Sequence, residues 1–151
     1  MKRIMIDADL CDGCMNCTLA CMNAHRKDGK ADIYTLDITA PENESRNFIA
    51  QDAEKQYRPV FCRHCAEPVC VTSCMSGAMS KDPETGLVTY DEKKCGACFM
   101  CVMNCPYGVP KPDRATRSRV IKCDFCDGLE EGPSCVRACP KEALRVEEVD
   151  E

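Results

Sequence analysis

Sixteen cysteines fall in four groups of four, and any fold this chain adopts has to gather them. The first group is Cys11, Cys14, Cys17 and Cys21, and the second is Cys62, Cys65, Cys70 and Cys74. The third, Cys95, Cys98, Cys101 and Cys105, runs into Pro106; the fourth, Cys123, Cys126, Cys135 and Cys139, runs into Pro140. No cysteine is left over. The rest of the chain is poor in core-forming residues: its 151 positions hold four Phe, four Tyr and no Trp, and without the cysteines about a third are apolar. A chain of this size buries too little surface to be comfortable alone. Whatever the thiols bind is expected to replace part of the missing core.

Disulfides, zinc and iron–sulfur clusters can each use many cysteines. Disulfides need an oxidising compartment, and Met1–Asp9 has neither the apolar stretch nor the twin arginine of an export signal. No run approaches the roughly 18 apolar residues of a membrane span. Reduced thiols in a cytoplasmic protein, or one peripheral to a membrane complex, are therefore expected. Zinc takes four ligands from two pairs and has no use for a triplet followed by a fourth cysteine one helical turn on. The spacing Cys-x2-Cys-x2-Cys-x3-Cys of the first and third groups is that of bacterial ferredoxin loops, in which a tight turn curls round one cube and offers it three thiolates. Gly13 and Gly96 lie inside these loops, where positive φ or close backbone approach is expected. Cys17 and Cys21, like Cys101 and Cys105, stand at i and i+4, one above the other on a short helix. The last thiolate then reaches a second cube. Four [4Fe–4S] clusters, with the groups working in pairs, are the expected cofactors.

The formal charge of −5 leaves no basic footprint for nucleic acid. No Gly-rich nucleotide fingerprint is present and no thiol remains free, so the chain reads as an electron carrier and not as an enzyme. A third possibility is a structural bridge whose clusters merely staple a small fold. Short alternating runs at Met1–Asp9 and Leu87–Asp91 read as strands. Asp82-Pro83-Glu84-Thr85-Gly86 reads as a turn joining Ala78–Lys81 to Leu87–Tyr90, and Ala143–Val146 as a final strand fading into an acidic tail. The Cys-free insertion Arg26–Tyr57 reads as a solvated connector with one or two strands. A second such stretch carries Lys111, Arg114, Arg117, Arg119 and Lys122; it suits either an acidic docking partner or charge balance for the clusters. His64, within a Cys-x2-Cys pair, is expected to hydrogen-bond beside a cluster and not to ligate it, and His25 to be exposed. Met15, Met22, Met75 and Met100 are expected to pack softly around the cubes.

The group order, with four residues between Cys65 and Cys70 and a longer gap between Cys126 and Cys135, resembles the four-cluster ferredoxin-like subunits of molybdopterin oxidoreductases. The segments Cys62–Cys70, Cys95–Cys101, Cys105-Pro106-Tyr107-Gly108 and Lys122–Cys126 carry the likeness, which spans essentially the whole chain. Cys74-Met75-Ser76-Gly77-Ala78-Met79 and Cys21-Met22 resemble the branch associated with nickel carbon monoxide dehydrogenase. Pro is missing after Cys21 and Cys74, a departure from the bacterial ferredoxin pattern.

The resemblance implies an α+β fold of two pseudo-symmetric bacterial-ferredoxin-like domains with short strands and short cluster-bearing helices. Residues 1–59 with 111–151 would form an outer domain, and residues 60–110 an inner one. It implies a nested ligation in which Cys11, Cys14, Cys17 and Cys139 share one cluster, and Cys21, Cys123, Cys126 and Cys135 the next. Cys62, Cys65, Cys70 and Cys105 would hold a third, and Cys74, Cys95, Cys98 and Cys101 a fourth. The implied role is electron relay between a redox enzyme, carbon monoxide dehydrogenase in the first instance, and an acceptor such as a hydrogenase. The alternative partner is a tungsten or molybdenum aldehyde or formate oxidoreductase.

Overall fold

The first strand finds its partner at the other end of the chain. In the computed structural model, which describes residues 1–149, strand β1 (Lys2–Ile6) pairs antiparallel with β8 (Leu144–Glu148), setting Ile6 opposite Leu144 and Ile4 opposite Val146. Val149 N–H donates to Met1 O at 2.8 Å and the terminal ammonium to Val149 O at 2.9 Å, which closes the ladder. Asp150 and Glu151, the end of the expected acidic tail, lie outside the described residues.

Between these strands come α1 (Asn16–Ala24), β2 (Phe48–Gln51), β3 (Tyr57–Val60), α2 (Val69–Thr72), β4 (Met79–Lys81) and β5 (Val88–Tyr90). Then follow α3 (Met100–Met103), β6 (Lys111–Pro112), β7 (Val120–Ile121) and α4 (Ser134–Arg137). β2 pairs with β3, β4 with β5, and β6 with β7, each as an antiparallel ribbon. The β4–β5 hairpin forms where the turn residues predict it. Asp82 accepts the Glu84 N–H at 2.8 Å, and Gly86, at φ +71°, sends its own N–H back to Asp82 O at 2.8 Å.

Two expectations about the cysteine loops change. Cys17 and Cys21 both lie on α1, but α3 ends at Met103, so Cys105 lies beyond the helix, as do Cys74 after α2 and Cys139 after α4. Helices this short have no spare turn to carry a second thiol. Gly13 has the expected positive φ of 75°, with the Tyr57 ring lying where a Cβ would stand, whereas Gly96 does not adopt one. The third loop curls instead through Ala97 at φ 52° and Phe99 at φ 58°, matching Met15 at φ 65° before α1. Non-glycine residues rarely occupy this region unprompted. Gly13 and Met15 flank Cys14 as Ala97 and Phe99 flank Cys98, so each loop bends sharply around its second cysteine.

Buried apolar side chains collect in two places. Ile4, Cys17, Phe61, Cys135 and Leu144 form one, with Ile49, Phe125 and Val136 against it. Met79, Cys101 and Val120 form the other, with Val71, Tyr90, Phe99 and Val102 around it. The insertion 26–57 is more than a solvated connector, because Glu44, Ser45 and Asn47 are buried: Asn47 accepts the Thr18 hydroxyl on α1 at 3.1 Å, and Glu44 accepts the Arg114 N–H at 2.8 Å.

Phe61 is the large apolar side chain of the first cluster. Phe61→Ala is expected to cost about 3–5 kcal/mol. In a guanidinium titration of the holoprotein the bleaching midpoint should fall clearly, while Tyr34→Ala, at a side chain 94% exposed, should leave it unmoved.

Candidate metal centre

All sixteen cysteines are free thiols in the structure, and the fold brings thiols from different sequence groups near one another. Cys11, Cys14 and Cys17 line one pocket together with Cys139, which α4 delivers from the far end of the chain. Cys21, one turn beyond Cys17 on α1, faces away from that pocket towards Cys126 and Cys123. Cys135 faces Cys123, Cys21 and Cys126. Cys70 faces Cys62, Cys105 and Cys65. Cys101 is influenced by Cys74, Cys70 and Cys95, in that order, and Cys98 stands exposed in the loop between Cys95 and Cys101.

The sets also have an order. Cys17 and Cys21 share α1, and Cys135 feels both, so the first two sets are neighbours. Cys62 lies near Cys123, which brings the second set against the third. Cys101 feels Cys70 as well as Cys74, which brings the third against the fourth.

These thiols are held where ionisation is costly. Burial pushes Cys21 and Cys101 up to about 11 and Cys123 up to about 12, and it raises Cys17, Cys70 and Cys135 as well, with the facing thiols adding to the rise. Cys74 is the exception: burial there is outweighed by hydrogen bonds from Ser76 and the Met79 N–H, and its thiol is lowered. Four converging thiolates can coexist in such a place only around positive charge. Iron supplies it, so the donor chemistry fits an iron–sulfur cluster. Backbone N–H groups aim at the sulfurs from outside: Arg46 at Cys21 (3.2 Å), Met79 at Cys74 (3.4 Å) and Phe125 at Cys123 (3.4 Å). Such bonds stabilise thiolate charge and tune a bound cluster.

His64 is 1% exposed, and its Nδ1 accepts the Val88 N–H at 2.9 Å. That contact leaves the proton on Nε2, which is buried and has no protein partner. Its ring stands edge-on to Phe125, one of the two residues between Cys123 and Cys126, with centroids 5.8 Å apart. Burial and the nearby Lys122 lower His64 to about 3, so it stays neutral. An unpaired buried N–H beside the thiol sets is what a hydrogen-bond donor to a bound cluster looks like before the cluster is added.

His25 is not exposed. Its side chain, 14% accessible, folds under Cys21, with Nδ1 2.7 Å from Cys21 O and Nε2 3.1 Å from Asp124. Arg46 reaches the other oxygen of Asp124 at 2.8 Å. His25, Asp124 and Cys126 place their ligand atoms within 4.8 Å of one another, but Cys126 already belongs to a thiol set, and the imidazole and carboxylate serve as its support. Sequence reasoning missed this brace because Asp124 and His25 are distant in the chain; the one signal was the Asp inside the Cys-x2-Cys pair. The five cations at 111–122 do not form one patch. Lys111 pairs with Glu44, Arg119 with Glu92 and Asp113, and Lys122 is buried, which leaves Arg114 and Arg117 on the surface.

The 4Fe-4S dicluster domain model matches residues 53–149. The protein is 40% identical over 144 residues to the beta subunit of NADH-dependent phenylglyoxylate dehydrogenase from Aromatoleum evansii, spanning 95% of this chain and 30% of that one. It is 36% identical over 151 residues to the B subunit of anaerobic dimethyl sulfoxide reductase from Escherichia coli (strain K12), spanning 97% of this chain and 73% of the relative. Among solved structures, the active site complex BamBC of benzoyl coenzyme A reductase with 1,5-dienoyl-CoA aligns at a TM-score of 0.52 and 27% identity, over 100% of this chain and 79% of that one. Among the described residues, no helix is long and apolar enough to cross a membrane.

Asp124→Asn removes the charge that Arg46 and His25 share. Since the carboxylate is 42% exposed, the expected loss is about 1 kcal/mol. Amide exchange should rise selectively at residues 44–47, which hydrogen–deuterium exchange would read directly.

Proposed function

The chain belongs to the 4Fe-4S dicluster domain family, and on that premise we propose that it is an electron-transfer subunit that holds four [4Fe–4S] clusters for an oxidoreductase whose catalysis lies in another polypeptide. The observation that carries this reading is the pocket that joins Cys11, Cys14 and Cys17 to Cys139 across the chain, supported by thiols of different sequence groups acting on one another beyond it. The proposed ligands follow the sets. Cys11, Cys14, Cys17 and Cys139 hold the first cluster; Cys21, Cys123, Cys126 and Cys135 the second; Cys62, Cys65, Cys70 and Cys105 the third; Cys74, Cys95, Cys98 and Cys101 the fourth. When bound, such clusters supply one-electron storage and release at potentials set by hydrogen bonds, charge and exposure. The protein's part is to present the thiolates, keep water from the middle of the row and aim N–H groups at sulfur.

We also propose a two-unit organisation, with residues 1–59 and 111–151 in one ferredoxin-like unit and 60–110 in the other. The paired settings support it. Asp7 and Asp91 cap equivalent turns before Cys11 and Cys95, Met15 and Phe99 take the same left-handed conformation, and Pro68 and Pro133 precede equivalent helices. The units interlock through Phe61, which packs with the outer core, and Val120, which packs with the inner one.

The partner is read as the catalytic subunit of a redox enzyme, in keeping with relatives named as parts of a dehydrogenase and a reductase. Carbon monoxide dehydrogenase rests on the short Cys74–Met79 and Cys21-Met22 likenesses, and these relatives carry other names. Nickel in the co-purified complex would favour carbon monoxide dehydrogenase or a hydrogenase; tungsten or molybdenum would select an aldehyde or formate oxidoreductase.

Anaerobic holoprotein is expected to hold about sixteen irons and to be reversibly reducible at four centres. Far fewer irons would sink the four-cluster reading, and clusters that cannot be reduced would leave only the structural staple. Paired substitutions test the ligation. Cys139→Ser with Cys11→Ser should perturb one cluster, about four irons, whereas Cys139→Ser with Cys123→Ser should perturb two. Ligation by sequence groups predicts the reverse.

A further inference from the structure

Lys122 is a buried charge with no place in the ligand sets. It is 4% exposed, and its Nζ donates to Val88 O and Cys123 O, both at 2.7 Å. Those two carbonyls satisfy two of its three N–H groups. Among the described residues no carboxylate lies within ion-pair distance of it, unlike Lys111 and Arg119 in the same stretch. A buried ammonium without a counter-ion is costly unless negative charge stands close by.

Its surroundings show where that negative charge would be. Val88 belongs to β5, packed with the Cys62–Cys65 loop through the bond from its N–H to His64. Cys123 opens the Cys123–Cys126 loop, and His64 meets Phe125 across the gap between the two loops. One residue, Val88, therefore takes a bond from Lys122 through its carbonyl and gives one to His64 through its N–H. Lys122 acts on Cys70 and on Cys123 alike, favouring the thiolate at each, so its charge reaches both middle thiol sets. It is not among the leading influences on Cys17 and Cys101 in the terminal sets.

Resting on the four-cluster reading above, we propose that Lys122 is a positioning residue whose fixed positive charge, held between the second and third thiol sets, raises the reduction potentials of the two middle clusters. Each of these gains negative charge on reduction, and a cation enclosed in low dielectric favours that state more than a surface cation would. The terminal sites, each containing an exposed cysteine where water screens charge, receive less of the effect. The middle of the row then accepts electrons more readily than the protein backbone alone would allow.

The test is a redox titration of the anaerobic holoprotein followed by electron paramagnetic resonance, with wild type, Lys122→Gln and Lys122→Arg compared. Gln can still donate to both carbonyls without the charge; Arg keeps the charge. Two of the four couples are expected to fall in Lys122→Gln by at least tenfold in their reduction equilibrium, 59 mV for a one-electron couple, and to stay near wild type in Lys122→Arg. Four couples that do not move, or that all move alike, overturn the inference while leaving the four-cluster reading intact. Fewer than four couples in wild type defeats the reading and the inference with it. If Lys122→Gln fails to retain iron, Lys122→Met is titrated in its place. Iron lost from both neutral variants but kept by Lys122→Arg supports the requirement for charge, and iron lost from Lys122→Arg as well overturns it.

Discussion

Thiols that are buried and face one another set the terms for everything else in this molecule. Cys17, Cys21, Cys101, Cys126 and Cys135 are buried residues, and several of them are pushed well above the usual thiol range by desolvation and by their neighbours. Neutral thiols could rest in an apolar core, but converging thiolates could not, whereas a cluster of iron and sulfide would hold them. The secondary structure is subordinate to that need. Two-stranded ribbons and four-residue helices are marginal by themselves. They persist because the cysteines beside them have directions already decided. The left-handed residues Met15, Ala97 and Phe99 belong to the same account: the loop must bend inward within two residues, and a local conformational cost is offset by thiol convergence.

The same constraint explains why the chain closes on itself. The pocket lined by Cys11, Cys14 and Cys17 is incomplete without Cys139, so the C-terminal segment must return to the N-terminal loop. The β1–β8 ribbon is the mechanical form of that return, and Ile4 and Leu144 fill the space beneath it. The insertion takes part as well. Its segment 44–47 brings the Arg46 N–H to Cys21 and the Arg46 guanidinium to Asp124, so residues distant from any cysteine in sequence end up against a thiol set.

What the sequence made legible was whatever has a short period. Cysteine spacing predicted inward-curling loops, the Asp82–Gly86 turn predicted the β4–β5 hairpin, and alternation at Ile4 and Ile6 predicted a strand. Contacts between loops left no such mark. Nothing local to His25 says that it will meet Asp124, and nothing local to Lys122 says that its ammonium will be enclosed by Val88 O and Cys123 O. A run of five cations reads equally as a docking patch or as charge balance for the clusters until the fold assigns three of them to separate interior or paired roles. The helix lengths were misjudged for a related reason. The i, i+4 spacing of Cys101 and Cys105 is compatible with a helix but does not require one, and the turn at Asn104 delivers the second thiol as well.

Exposure differs between the ends of the row and the second set. Of the sixteen cysteines, the two that are exposed are Cys14 and Cys98, and under the proposed ligation they belong to the first and fourth clusters, at opposite ends. The enclosed sulfurs of Cys21, Cys123 and Cys135 belong to the second set, and His64 and Lys122 seal its boundary with the third. Electron exchange with another protein requires a cluster near the surface, while a middle cluster benefits from exclusion of water and from a controlled charge. An exposed cysteine at each end and three buried ones, Cys21, Cys126 and Cys135, in the second set suit these requirements at those places. That arrangement also gives a reason for placing a buried cation at the junction: away from solvent, a single charge acts on two neighbouring sites at once, with little water to screen it.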